Sequence, residues 1–252
     1  MPRRRCLTER EDAFGRVVLE LHQGRPASEL VERDDGLIVA RRGTAMFFAP
    51  LDRWPEPERE AMSLVRGDVL DIGCGPGRAA LHLQAHGHRV TAIDHSPLTV
   101  RVAQERGVRD CRVLSLDEVG PELGVFQTVV MLGNGFGLLR SRHVAPRLLR
   151  RLAAVTTPDA RILASSLDAY ETNDPIHLAY QSRNQARGRM SGQVRLRIRH
   201  RHYATPWEDS LMVSREEMAE VAEAGGWQLE RTIGKGKFYV GVLTRRSYRT
   251  AL

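Results

Sequence analysis

Between positions 68 and 167, apolar residues cluster in short runs. Each run is followed by a stretch in which they recur every three or four positions. The runs are 69–72, 89–93, 111–114, 127–132 and 159–167. Apolar runs of this length bounded by turn residues fit strands covered on both faces, and the periodic stretches fit helices. One helix covers 78–86. A second opens on Ser96 as N-cap, with Pro97 at its first position, and stops at Gly107. A third is the amphipathic stretch "SRHVAPRLLRRLAAVT". Parallel strands need crossover helices, so the alternation predicts a doubly wound, mostly parallel α/β sheet.

The pattern changes on both sides of this core. After Leu167, "DPIHLAYQSRNQARGRMSG" reads as a helix ending near Gly188. "QVRLRIRHRHY" alternates strictly, with Val194, Leu196 and Ile198 on one face and Arg195, Arg197, Arg199 and Arg201 on the other. With "WEDSLMV" it predicts a pair of strands. Ser214 and Glu217 form a capping box for a helix ending at Gly225. "WQLERTI" and "KFYVGVL" then predict an antiparallel C-terminal edge of the main sheet. Residues 13–66 read as mostly helical and irregular, with "GLIVARRGTAMFFAPLDRW" as a loop or short extended piece. The division is an N-terminal helical lid over 1–67 and a core over 68–252, which carries a hairpin-and-helix insertion near 169–213.

Composition changes this picture little. A hydrophobic share of 42% with 27% charged residues is that of an ordinary globular chain. No run of about 18 uncharged apolar residues is present, so no membrane span is expected. The basic N-terminus has no apolar segment behind it, and a cytoplasmic location is expected. Cys6, Cys74 and Cys111 fit no zinc spacing, and no metal cluster is visible. The net charge of +7 invites a nucleic-acid partner. Yet every basic residue except Lys235 and Lys237 is arginine, a coding bias that weakens charge as a functional signal. The arginine strand offers only Tyr203 as a stacking partner, which disfavours an RNA-binding role.

The chemistry lies in "DVLDIGCGPGRAALHLQAHGHRVTAIDHSP". Gly73, Gly75 and Gly77 follow an apolar strand and precede a helix, and Asp94 ends the next strand. A dinucleotide site needs G-x-G-x-x-G, but Arg78 follows the third glycine here. There is no Gly-Lys-Ser/Thr, and Pro76 removes an amide from a would-be phosphate cradle. "VLDIGCGPG" with "VTAIDHSP" resembles the first two motifs of class I S-adenosylmethionine-dependent methyltransferases, over about residues 68–167. The resemblance implies a Rossmann-like fold and S-adenosylmethionine as cofactor. It implies that Asp71, Gly73, Cys74, Gly75 and Gly77 sit against the methionine part, Asp94 and His95 at the ribose, and Leu116 and Asp117 at the adenine. It places Leu132, Gly133, Asn134 and Gly135 where methyl meets acceptor. Asn134 is followed by Gly135, not by the Pro-Pro-aromatic of some amine and nucleobase methyltransferases.

Acceptor-pocket candidates come from segments outside the cofactor core. Phe47, Phe48, Phe136 and Tyr170 are candidate substrate contacts. His177 and Tyr180, three apart on one helix face, and Asp168 after the fifth core strand are candidate catalytic groups. The expected activity is methyl transfer to a small molecule, with a bacterial secondary metabolite in view. Methylation of RNA or protein, and a non-enzymatic S-adenosylmethionine-binding role, stay open, as does a homodimer.

Overall fold

Nineteen helices and strands are laid out along residues 4–41 and 43–245, the part of the chain that the computed structural model describes. The N-terminal segment holds α1 (Ala13–His22), β1 (Glu29–Arg33), β2 (Ile38–Arg41) and α2 (Glu56–Met62). The core follows with β3 (Val69–Ile72), α3 (Arg78–Ala85), β4 (Val90–Asp94), α4 (Pro97–Glu105), β5 (Asp110–Val113), β6 (Phe126–Met131), α5 (Ala145–Ala153) and β7 (Thr156–Leu167). Then come α6 (Pro175–Ala186), β8 (Gln193–His200), β9 (Tyr203–Ala204), β10 (Glu208–Leu211), α7 (Arg215–Ala224), β11 (Trp227–Ile233) and β12 (Phe238–Arg245).

The main sheet has seven strands in the order β11-β12-β7-β6-β3-β4-β5. The five strands from β3 to β7 are parallel, and β12 runs antiparallel to both β7 and β11. This is the mostly parallel sheet with an antiparallel C-terminal edge that the apolar runs anticipate. Alternate strand residues feed two apolar layers. Leu70, Ile72 and Ile93 pack with Leu148, Leu149 and Leu152 of α5. Val69, Val90 and Ala92 pack with Ala79, Ala80 and Leu83 of α3 and Val100 of α4. The chain leaves β3 toward β4 and β5, then returns to pair β6 on the other flank of β3. The order reverses at β3, and open α/β sheets bind ligands beyond the strand ends at that point.

The N-terminal segment departs from the helical lid expected of it. β1 pairs antiparallel with β2 and with β8, so the segment and the later insertion build one second sheet, ordered β10-β8-β1-β2 with β9 beside β8. β1 has the sequence ELVER, too short and too charged to signal a strand by itself. Its pairing partner lies more than 160 residues away, as in Val31 opposite Ile198. The arginines of β8 pair with acids: Arg197 and Arg199 with Glu32, and Arg195 with Asp209. The next, Arg201, meets Glu20, while Arg197 also stacks on Trp207. Among the described residues, no helix is long and apolar enough to cross a membrane.

Asp12 fixes α1 against the core. Its side chain is fully buried; Oδ1 accepts from the Gly15 amide at 2.8 Å, and Oδ2 accepts from the Ser96 hydroxyl at 2.7 Å and the Leu98 amide at 3.0 Å. One carboxylate thus caps α1 and ties it to the start of α4. Asp12→Ala leaves buried donors without partners and is expected to cost roughly 1–3 kcal/mol. Urea denaturation should show a lower midpoint with an unchanged slope.

Candidate functional site

Beyond the carboxyl ends of β3, β4 and β6, and beneath the second sheet, lies a cavity of about 220 Å³. The bend after β3 supplies Gly73, Cys74, Gly75 and Pro76, and β4 supplies Asp94 with His95 behind it. Leu132, Gly133, Asn134 and Gly135 come from the turn after β6, and Phe47 from the segment before α2. The sequence had named all of these except Pro76 as contacts, and they do meet. A larger cleft of about 560 Å³ lies elsewhere, along the starts of β4 and β5, with Arg89, Arg109 and Arg112 on its walls. It contains none of the glycine bend and sits at the wrong end of the strands for ligand binding in such a sheet.

The three glycines have separate tasks. All three have positive φ, the left-handed region. A Cβ on Gly75 would meet nothing, so at that position backbone conformation alone requires glycine. A Cβ on Gly77 would collide with Val108 and crowd Ala103, so this glycine lets α3 and α4 approach closely. Gly77 is accordingly absent from the cavity wall.

Asp71, on β3, is 2% exposed and lines the cavity. Its Oδ2 has no hydrogen-bond partner. Burial pushes its carboxyl up to about 7, with Arg78 pulling the other way. Arg78, which sequence reading used only to reject a dinucleotide motif, also lines the cavity. Its guanidinium bonds Glu58 at 2.6 Å and stacks on Trp54 at 4.2 Å, while the other oxygen of Glu58 accepts from the Gly133 amide at 2.7 Å. A buried acid with an open lone pair beside a buried cation matches the ammonium and carboxylate of an amino acid.

Asp94 is held from three sides. It accepts from the Gly75 amide at 3.1 Å and the Ser96 amide at 3.0 Å, and His95 Nδ1 lies at 3.3 Å. Burial alone would raise its carboxyl, but these donors outweigh burial and leave it below the ordinary carboxylate value. An ionised acid fixed to the bend suits a pair of vicinal hydroxyls. Leu116 and Asp117 border a smaller recess with Gly73, Asp94 and Ser115. Asp117 is already engaged by the Arg4 amide, Arg140 and Arg147, at 3.0, 2.7 and 2.5 Å. Burial raises its carboxyl and these donors lower it further, so its side chain works as a structural hub. Cys74 Sγ lies 3.7 Å from Cys111 Sγ, and that contact together with burial holds its thiol protonated. Asn134 has φ 65° and its Oδ1 accepts from the Leu167 amide at 3.2 Å, so it meets the cavity while its side chain closes the end of β7.

The remaining candidates lie off this wall. Phe136 is fully buried in the apolar layer of α5. Phe48 stacks on His22, and Tyr170 is half exposed with its hydroxyl on Ser191 and Glu217. His177 Nδ1 lies 2.9 Å from Arg33, and the Tyr180 hydroxyl donates to Asp34 at 2.6 Å, an arrangement that with burial pushes Tyr180 up to about 12. Asp168 accepts from the Tyr170 amide and faces Arg215. Burial and the Asp34 bond keep the Tyr180 proton in place, which removes it as a base. Helical spacing put His177 and Tyr180 on neighbouring turns, but α6 turns them toward β1 and its following loop. Phe14, Glu29, Leu138 and Ile198 line the cavity instead. No local pattern announces Phe14 or Glu29, since long-range strand pairing and α1 docking bring them there.

Residues 69–159 match the family model described as a methyltransferase domain. A structure of an S-adenosylmethionine-dependent methyltransferase from Bacteroides fragilis, in complex with S-adenosyl-L-homocysteine, superposes with a TM-score of 0.80. It is 27% identical, and the alignment covers 95% of this chain and 97% of that one. The CcbJ methyltransferase of Streptomyces caelestis shares the fold at a TM-score of 0.59 and 14% identity, covering 78% of this chain and 95% of that one. A ubiquinone biosynthesis O-methyltransferase of Xanthomonas euvesicatoria pv. vesicatoria is 32% identical over 113 residues, 42% of this chain and 46% of the relative. The chain spans about half the length of such curated relatives.

Proposed function

Since the chain belongs to the class I S-adenosylmethionine-dependent methyltransferases, we propose that it transfers the methyl group of S-adenosylmethionine to a small-molecule acceptor. The observation that carries this reading is the open lone pair of Asp71 beside Arg78, with the anchored carboxylate of Asp94 at the end of the neighbouring strand β4. Asp71 would take the cofactor's ammonium, Arg78 its carboxylate and Asp94 its ribose hydroxyls. The backbone of Gly73–Gly75 would lie along the methionine chain.

When bound, the cofactor supplies a methyl already activated on a sulfonium. The protein's share is to fix geometry and exclude bulk water. Alignment of this kind accounts for about 7–11 kcal/mol in favourable intramolecular reactions. Two features support a small acceptor over a macromolecule. The cavity is roofed by the second sheet, with Ile198 of β8 on its wall. The arginines of β8 that raise the net charge are matched by acids.

Isothermal titration with S-adenosylmethionine and S-adenosylhomocysteine tests the reading. Both should bind, and Asp94→Ala should weaken them by about 10- to 100-fold, the worth of charged hydrogen bonds. Absence of binding by the unmodified protein would end the proposal. Transfer of labelled methyl from S-adenosylmethionine into a small-molecule extract, lost in Asp94→Ala, separates enzyme from mere binder.

A further inference from the structure

Residues 4–7 run past the turns that follow β4 and β5 as an irregular segment. The Arg4 amide donates to Asp117 at 3.0 Å, the Cys6 thiol to Glu118 at 3.4 Å and the Leu7 amide to the His95 carbonyl at 2.9 Å. The Arg4 side chain reaches the second sheet, where its Nε donates to Glu208 of β10 at 2.7 Å. That side chain is 17% exposed. Burial lowers its guanidinium to about 10, with Asp94 and Asp117 nearby pulling it up and Arg140 pulling it down. One residue thus joins the main core to the second sheet, close to the acid proposed to hold the ribose.

Arg4 also stands between two spaces. It lines the recess bordered by Leu116 and Asp117, whose free volume is about 20 Å³. It lines a second space of about 150 Å³ against the second sheet, walled by Leu7, Phe14, Leu196 and Ile198. His95 and Leu138 are common to both. A volume of 20 Å³ admits about one water, and a two-ring base does not fit. The adenine expected beside Leu116 and Asp117 therefore finds Arg4 in its way, and withdrawal of Arg4 removes the side chain that parts the two spaces.

We infer that residues 4–7 form an autoinhibitory strap: with Arg4 seated between Asp117 and Glu208 the adenine recess is shut, and S-adenosylmethionine enters only after the strap swings out. The role rests on the methyl-transfer reading, which puts adenine in that recess. No strand ladder includes residues 4–7, so opening breaks a few hydrogen bonds and leaves both sheets intact. Arg140 adds like-charge repulsion that favours release. The cofactor-free protein rests mostly in the shut form, and its apparent affinity is reduced by the fraction that is open.

Titration with S-adenosylhomocysteine and limited tryptic cleavage test the strap. Arg4→Ala should tighten S-adenosylhomocysteine by about tenfold or more, since the open form no longer has to be drawn from a minor population. Glu208→Gln loosens the strap from the second sheet and should tighten binding in lesser degree. Arg5→Ala is the control. Its side chain is 62% exposed and pairs with Glu11, so the change removes the same charge away from the recess and should leave the affinity as it was. Bound S-adenosylhomocysteine should also speed tryptic cleavage after Arg4 and Arg5, because the strap is then out. Unchanged or weaker binding by Arg4→Ala, equal tightening by Arg5→Ala, or cleavage that the ligand slows or leaves alone overturns the inference. Failure of the methyl-transfer reading would show separately, as absence of S-adenosylhomocysteine binding by the unmodified protein and by Arg4→Ala alike.

Discussion

Asp71→Asn should nearly abolish cofactor binding while making the unliganded protein more stable above neutral pH. The buried carboxylate is the group proposed to meet the cofactor's ammonium, and its Oδ2 has no hydrogen-bond partner. Loss of one member of a buried charge pair costs about 3 kcal/mol or more, roughly 100-fold in Kd. The pH dependence follows from the same group. Burial raises its carboxyl from 3.8 to about 7. The ammonium requires the ionised form, so affinity is full above pH 7. It weakens as pH falls through that value, by up to about tenfold per unit. Stability runs the opposite way. A folded-state value above the unfolded one means that the folded chain binds the extra proton between pH 4 and 7. Ionisation therefore penalises the fold above pH 7, and acidification relieves it. Asn carries no such penalty, so thermal unfolding of the variant at pH 8 should occur at a higher temperature than that of the unmodified protein. An Asp71→Asn variant with unchanged affinity, or affinity flat across this range, would contradict the placement of the ammonium.

Glu58→Ala should be the most destabilising single change around the cavity. Glu58 is 1% exposed, bonds Arg78 at 2.6 Å and accepts from the Gly133 amide at 2.7 Å. Its removal strands a buried guanidinium and frees the turn after β6, an expected loss of about 3–5 kcal/mol. Glu58→Gln retains an oxygen for Gly133 and should lose less. Arg78→Met alone strands Glu58 instead. The double change Glu58→Gln with Arg78→Met should cost clearly less than the sum of the single ones, since neither charge is then left unpaired. Urea denaturation of the three variants measures this coupling, and strict additivity would show that the pair contributes nothing as a pair. The double variant should also bind S-adenosylmethionine weakly, because Arg78 faces the cofactor's carboxylate in the proposed site.

The main sheet and half of the cavity were written locally in the chain. Strands buried on both faces read as mostly apolar runs, so 69–72 and 89–93 announce themselves without reference to anything distant. The turn between strand and helix needs left-handed backbone, which only glycine adopts freely, and this singles out Gly73, Gly75 and Gly77. Asp94 was legible because an acid at a strand end, after such a bend, has few other reasons to be there. The caps at Ser96 and at Ser214 with Glu217 are local as well, and both form.

The wall formed by α1 and the second sheet is not local. β1 owes its conformation to β8 and β2, and the alternation in β8 carries the signal that ELVER lacks. Glu29 and Phe14 enter the cavity only because Asp12 pins α1 and the second sheet closes over the first. His177 and Tyr180 show the converse. Helical spacing correctly made them neighbours, and tertiary packing bound them to Arg33 and Asp34. By itself the sequence determined where a cofactor of this class can lie, because the bend and the two carboxylates belong to consecutive strand–turn–helix units. Only the tertiary structure decided which residues face it, because their positions depend on hydrogen-bond ladders between segments with no sequence proximity.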